Sequence, residues 1–263
     1  MENITLTTDF GLTAEYPAAM KGVILSINPK VNIIDITHSI NPQNIEHGAF
    51  VLYSVVPYFK DTIHIGVVDP GVGTERAGLI FKCTECILVG PDNGLLIPAA
   101  ERLGIQSVIK ITNLDYCLDD ISSTFHGRDI FAPVAAHISN GLKVETCGPK
   151  VDQYVRINLF KVEEEHDKLT CKVLNIDTFG NIITNLSKDV LEKYFDYGNK
   201  LELTNHRQNK TWRVPIEKTY GNVPKGTLLA TISSSGFLEI AGNLCSAVEK
   251  MNVKIGDKIV IRK

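Results

Sequence analysis

The sequence predicts an α/β fold: an N-terminal domain over residues 1–155 with a mainly parallel sheet and flanking helices, then a smaller antiparallel β domain over 156–263. Three observations carry this expectation. From Ile4 to about Gly141, short β-rich runs alternate with longer amphipathic ones, as strands crossed by helices do. Between Gly148 and Lys168 the texture changes, through Gly148-Pro149 and the acidic run Glu163-Glu164-Glu165. Beyond it, strand-like stretches are separated by Gly, Asn and Pro turns.

In the first domain, β-rich runs place strands at Ile4–Thr8, Val31–Ile36, Ile63–Val68, Leu79–Phe81, Ile87–Val89 and Ser107–Ile111. Amphipathic runs place helices at Ala14–Ile27, Asn44–Val56, Gly94–Arg102 and Gly127–Ser139. Asn41-Pro42 reads as the entry to the second helix, because Asn caps free N–H groups and Pro fits a first turn. Thr124 is the expected cap of the fourth. In the second domain the strands fall at Thr170–Ile176, Lys200–Leu203, Thr211–Val214, Leu228–Ser233 and Lys258–Ile261.

The composition narrows the function. At 263 residues with 44% hydrophobic content the chain fills a real core, so disorder is a poor reading. A net charge of -3 and a pI near 6.2 give no basic surface for nucleic acid. The start MENITLTTDFG lacks a signal-peptide pattern and no apolar run is long enough to span a bilayer, so a cytoplasmic protein without membrane contact is expected. Six cysteines then read as reduced thiols. Among them Cys83-Thr84-Glu85-Cys86, flanked by strands, reads as a hairpin tip rather than a metal or redox pair.

Four stretches carry chemistry. Thr7-Thr8-Asp9-Phe10-Gly11 puts a carboxylate at a strand's carboxyl end, where open α/β sheets bind ligands and where one carboxylate can hold both ribose hydroxyls. The alternative is an Asp that caps the following helix. Val68-Asp69-Pro70-Gly71-Val72-Gly73-Thr74-Glu75-Arg76 fits neither a phosphate loop nor a dinucleotide fingerprint, since it leads into a strand. Its glycine-rich turn can fold Arg76 onto Asp69 and favour the ionised carboxylate, or simply make a structural salt bridge. Ser123-Thr124-Phe125-His126-Gly127-Arg128-Asp129 opens a helix, where local dipoles favour a neutral His126 and so preserve a base. His38 is its nearest competitor, and His137 reads as packing. Asp177-Thr178-Phe179-Gly180-Asn181 offers an amide for a heterocycle edge and a ring for its face, or just a turn.

Together with Gly90-Pro91-Asp92-Asn93-Gly94-Leu95-Leu96 and Asp177 through Asn185, these stretches resemble, in order and over nearly the whole chain, the S-adenosylmethionine hydroxide adenosyltransferase family, relatives of the fluorinase and chlorinase. The resemblance implies that water or hydroxide attacks C5′ of S-adenosylmethionine, giving adenosine and methionine, and no motif in the sequence asks for a metal or a second cofactor. It implies Asp69, Arg76 and His126 as catalytic triad, Asp9 on the ribose and Asn181 on the adenine. It further implies stacking by Phe179 and Tyr220, ligand contacts from Ser235 and Glu239, main chain near Val248 at the adenine edge, and a homotrimer with sites between subunits. Asp69 stands where the halogenases carry an uncharged residue, and Gly127 where the fluorinase has a halide-binding Ser, so hydrolysis is expected over halogenation. Leu12-Thr13-Ala14-Glu15 departs from the family's pattern for the methionine end. A non-catalytic nucleoside or S-adenosylmethionine binding protein is the competing reading. A methyltransferase is disfavoured, because Asp9-Phe10-Gly11 replaces the glycine-rich turn such enzymes place after the first strand.

Overall fold

Six strands build the N-terminal sheet: β1 (Asn3–Thr8), β2 (Asn32–Thr37), β3 (Thr62–Val67), β4 (Gly78–Cys83), β5 (Ile87–Pro91) and β6 (Ile105–Lys110). The computed structural model describes residues 1–205, 207 and 210–262, arranged as two units, Met1–Ile157 and Asn158–Lys263. In the first, the strand order is β2-β1-β3-β5-β4-β6. The pairs β2/β1, β1/β3 and β3/β5 are parallel, while β4 runs antiparallel to both β5 and β6. The sheet is therefore mixed, with β4 alone running against the direction of the other five strands.

Burial on both faces explains why β1 reads as a nearly continuous run rather than an alternating one: Ile4 through Thr8 are all fully buried. On one face, Ile4, Leu6, Ile63 and Ile65 pack with Met20 and Ile24 of α1 (Tyr16–Ile27) and with Val134 and Ala135 of α4 (Ala132–Ser139). On the other lie α2 (Ile45–Val55) and α3 (Ile97–Leu103), and here side chains leave so little room that a Cβ on Gly66 would sit 2.9 Å from Leu52 and Leu96. No helix among the described residues is long and apolar enough to cross a membrane.

Several local expectations are corrected. Asn44, not Asn41-Pro42, caps α2, its side chain accepting from the His47 N–H at 3.0 Å. The Asn41 N–H instead donates to His47 Nδ1 at 3.1 Å, which makes the preceding turn. The helix expected from Gly127 begins as a π-helical turn, Gly127–Phe131, and Thr124 does not cap it. The wider turn is a feature that a 3.6-residue pattern does not reveal. Cys83 and Cys86 do form a hairpin tip, with the Cys83 N–H on the Cys86 carbonyl at 2.9 Å. All six thiols are free, and burial pushes Cys83 up to about 12.

The second unit holds β7 (Glu163–Glu164), β8 (Lys168–Ile176), β9 (Ile182–Ser187), β10 (Lys200–Asn205), β11 (Lys210–Pro215), β12 (Leu228–Ile232), β13 (Phe237–Gly242) and β14 (Lys258–Arg262). Its order is β11-β10-β14-β8-β9-β13-β12, antiparallel throughout, with β7 beside β8. Ile216, just past β11, bridges to Ala230 of β12, so the ring of strands closes on itself. Two short helices, α5 (Lys188–Leu191) and α6 (Ala247–Met251), pack beside β13, α5 also against β9. Strands β9 and β13 were not anticipated, because buried Thr184, Asn185 and Glu239 interrupt their apolar pattern.

Asn185 explains how such a residue is tolerated: its Oδ1 accepts from Lys172 N–H at 2.7 Å, and its Nδ2 donates to the Leu159 and Lys161 carbonyls at 3.3 and 2.8 Å. Replacing it strands buried main-chain groups. Asn185→Leu is expected to destabilise the fold by about 3 kcal/mol, read as a lower urea midpoint.

Candidate functional site

The carboxyl ends of β1 and β3 and the start of the helical segment at His126 meet at one cleft of about 280 Å³, lined by Asp9, Phe10, Gln43, Asp69, Val72, Phe125 and His126 among others. Parallel strands β1 and β3 end side by side, so Asp9 and Asp69 leave the sheet at the same edge, as ligand-binding residues of open α/β sheets do. Asp9 does not cap α1. Its Oδ2 accepts from the Gln43 N–H at 2.7 Å, leaving Oδ1 for a ligand hydroxyl.

The loop after β3 doubles back through Gly73, whose φ is +77° and whose Cβ position lies 2.1 Å from the Ser123 carbonyl oxygen. Only glycine fits there. The turn brings Arg76 onto Asp69: Nε donates to both carboxylate oxygens at 2.9 and 3.1 Å, and Nη2 also reaches Oδ2. Their side chains are 10% and 5% exposed, so this pair is shielded from the screening that weakens surface salt bridges. Arg76 also donates through Nη1 to the Ala77 carbonyl at 3.1 Å and lies 5.1 Å from the Phe131 ring centre.

Arg76 also reaches His126, with Nη2 2.9 Å from Nδ1. A guanidinium has no acceptor, so Nδ1 accepts and the proton sits on Nε2. Burial, then the Arg76 charge, hold the imidazole below its ordinary range, against opposing pulls from Asp69 and Asp129. His126 is thus neutral, as the sequence suggests, but its free nitrogen is a donor rather than a base. Among the described residues, His38 and His137 do not line the cleft: His38 Nδ1 pairs with Thr8 Oγ1 at 2.9 Å, and His137 packs on the Tyr116 ring.

The second unit carries its own pocket of about 580 Å³, lined by Asp177, Phe179, Asn181, Tyr220, Leu244 and Ser246 among others. Asp177 organises it, accepting from the Phe179 and Asn181 N–H groups at 2.9 and 2.8 Å and from Asn181 Nδ2 at 2.9 Å. Asn181 keeps Oδ1 and its second N–H for a ligand. Phe179 is 79% exposed and Leu244 78%, so apolar surface stands open at this rim.

The remaining expected residues fall differently. Glu239 does not line the pocket. It is buried and accepts from Tyr220 Oη at 2.7 Å. That bond, with burial, pushes Tyr220 up to about 12, while burial raises Glu239. Ser235 lies in the β12–β13 turn, its hydroxyl 2.9 Å from that of Ser233, outside the pocket lining. The Val248 N–H donates to the Gly180 carbonyl at 2.9 Å, and the Val248 carbonyl accepts from the Asn252 N–H at 2.7 Å. Sequence reasoning missed Gln43 and Leu244, both non-glycine residues at positive φ of 62° and 52°, which no local pattern marks.

Comparison with known proteins places both units. The N-terminal domain model of the SAM hydroxide adenosyltransferases matches residues 4–148, and the C-terminal domain model matches 171–260. An (R)-S-adenosyl-L-methionine hydrolase of Methanocaldococcus jannaschii is 41% identical, covering 99% of this chain and 96% of its own. One from Salinispora tropica is 38% identical over 97% and 96%. A Nocardia brasiliensis fluorinase is more distant, at 28% over 98% and 96%. A crystal structure of an uncharacterized conserved protein from Thermotoga maritima superposes with a TM-score of 0.91 at 39% identity, covering 99% of this chain and all of that one.

The geometry around Arg76 sets a pH dependence. Because the folded-state pKa of His126 lies below 6.5, its contribution to stability is fully present above that value and is lost as pH falls through the folded pKa. In Arg76→Leu, the His126 midpoint should rise, since one of the two forces lowering it is gone. Histidine NMR titration of both proteins reads this directly.

Proposed function

The chain belongs to the S-adenosylmethionine hydroxide adenosyltransferase family, and on that premise we propose that it hydrolyses S-adenosylmethionine to adenosine and L-methionine by attack of water at C5′. The observation that carries this reading is Arg76, hydrogen-bonded at once to Asp69 and His126, two residues that line one cleft with Asp9.

In this reading Asp69 accepts a hydrogen bond from the attacking water, using lone pairs that Arg76 leaves available. The His126 Nε2–H donates to the same oxygen and fixes its orientation. The oxygen bonds to C5′ as the C5′–S bond breaks, and the electron pair of that bond leaves on sulfur. The water's proton passes by way of Asp69 to solvent. A sulfonium departs as a neutral thioether, so it needs neither a general acid nor a Lewis acid to leave, which supports a reaction without metal or cofactor. Asp9 Oδ1 holds a ribose hydroxyl. A carboxylate at position 69 favours water over halide, because two anions repel.

Asn181, with Phe179 and Tyr220, presents an amide edge and aromatic faces suited to adenine. We assign the nucleoside base to that pocket, with Glu239 holding Tyr220 rather than meeting the ligand. A homotrimer with sites between subunits, which the family resemblance implies, is part of this reading. Free thiols and a net charge of -3 support a cytoplasmic enzyme with no nucleic-acid partner, and no helix among the described residues is long and apolar enough to cross a membrane. The paired charges in the cleft favour turnover over a purely nucleoside-binding role.

Incubation with S-adenosylmethionine in oxygen-18 water should give adenosine labelled at its 5′ oxygen, together with methionine. Unlabelled adenosine, or S-adenosylhomocysteine as the product, sinks the reading. Asp69→Asn and His126→Ala should each lower kcat about 100- to 10,000-fold while the fold survives. Added chloride or fluoride should yield no halogenated nucleoside.

A further inference from the structure

Asp92 and Asn93 follow β5 within the Gly90–Gly94 stretch, which the chemistry above leaves without a role. The loop carrying Asp69 and Arg76 leaves β3 and enters β4, yet these strands are not neighbours, since the order is β3-β5-β4. The loop must therefore pass over the end of β5. The two residues that emerge there reach sideways in opposite directions.

Asn93 Nδ2 donates to the Val68 carbonyl at 2.8 Å, one residue before Asp69. The β3/β5 ladder ends at Ile65↔Val89, so this amide supplies a further rung that main chain does not provide. Its orientation is fixed, because Asn93 Oδ1 accepts from the Leu95 N–H at 3.1 Å. On the other side, the Asp92 N–H donates at 2.9 Å to the Ala77 carbonyl, one residue after Arg76 and the same oxygen that takes Arg76 Nη1. Asp92 is itself held, its Oδ1 accepting from the Val155 N–H at 2.8 Å.

We propose that Asn93 and Asp92 are positioning residues for the hydrolysis: they grip the loop immediately outside Asp69 and Arg76 and so set how the ion pair meets His126. The proposal rests on the activity inferred above. Neither residue lines the cleft, and their effect passes through the Val68 and Ala77 carbonyls. If the Val68 grip is lost, Asp69 shifts, and Arg76, bound to it through two donors, moves with it away from Nδ1.

Asn93→Leu keeps the branched skeleton and removes both the donor and the acceptor. Asn93→Asp keeps the shape and is the fallback if the first variant fails to fold. Asn113→Leu is the matched control, since Asn113 makes the same pair of bonds, to the Thr146 carbonyl at 3.2 Å and from the Asp115 N–H at 3.1 Å, outside the cleft. Per folded molecule, Asn93→Leu should lose about 10- to 100-fold in kcat with KM for S-adenosylmethionine within about twofold, the size expected of a misplacement below an ångström or so. The NMR midpoint of His126, whose charged neighbours are Arg76, Asp69 and Asp129, should rise relative to wild type, while Asn113→Leu leaves it unchanged. Wild-type kcat and an unmoved His126 midpoint in the Asn93 variants overturn the proposal, even if their stability falls. If the wild-type protein makes no adenosine, the assigned activity fails, and the His126 titration still decides whether the grip exists.

Discussion

The Asp69–Arg76 ion pair is the constraint on which the N-terminal cleft depends. A pair this shielded loses most of its hydration, and such pairs persist only where geometry and extra hydrogen bonds compensate. Here the compensation is concentrated in the guanidinium: two carboxylate oxygens, a main-chain carbonyl, an imidazole nitrogen and the Phe131 ring surround it. A lysine could not make this set, because the planar fork supplies donors in fixed directions. Gly73 matters for the same reason, since the loop must pass against the Ser123 carbonyl to deliver Arg76 at all.

The same guanidinium decides what His126 can do. By occupying Nδ1 it commits the ring to one tautomer and turns the remaining nitrogen into a donor. Acceptance then falls to Asp69 and donation to His126, so one solvent molecule would be gripped from both sides of its hydrogen-bonding capacity. Preorganised polarity of this kind acts without rearrangement as charge develops. The pocket of the second unit is built by contrast from shape and exposed rings, with Asp177 spending its carboxylate on the turn that carries Asn181.

Much of the first unit is legible in the sequence because its signals are local. The runs at Ile4–Thr8 and, His64 apart, Ile63–Val68 are apolar or β-branched through burial on both faces, and β4 and β5 meet at Cys83 to Cys86 as a hairpin. What escaped depends on distant partners. Asn185 and Glu239 look like turn or ligand residues until their distant partners are known, at Lys172, Leu159 and Lys161 for one and Tyr220 for the other. The helix entries shifted because Asn44 competes with Asn41, and because a π-helical turn has no period of its own in the sequence. For the cleft, residue identity pointed to Asp9, Asp69, Arg76 and His126, while the tautomer of His126 required knowing which atom of Arg76 it faces.

The closure of the C-terminal ring has a mechanical meaning. Around most of its circumference neighbouring strands share ladders of three to six residue pairs, but the seam between β11 and β12 is a single bridge at Ile216, supplemented by the Glu217 N–H on the Ala230 carbonyl at 2.9 Å. Local opening follows the path of fewest bonds. Tyr220 sits four residues beyond that bridge, tethered by its hydroxyl to Glu239. The aromatic wall of the pocket therefore follows the seam of the barrel at which, among the described residues, neighbouring strands share the fewest main-chain bonds.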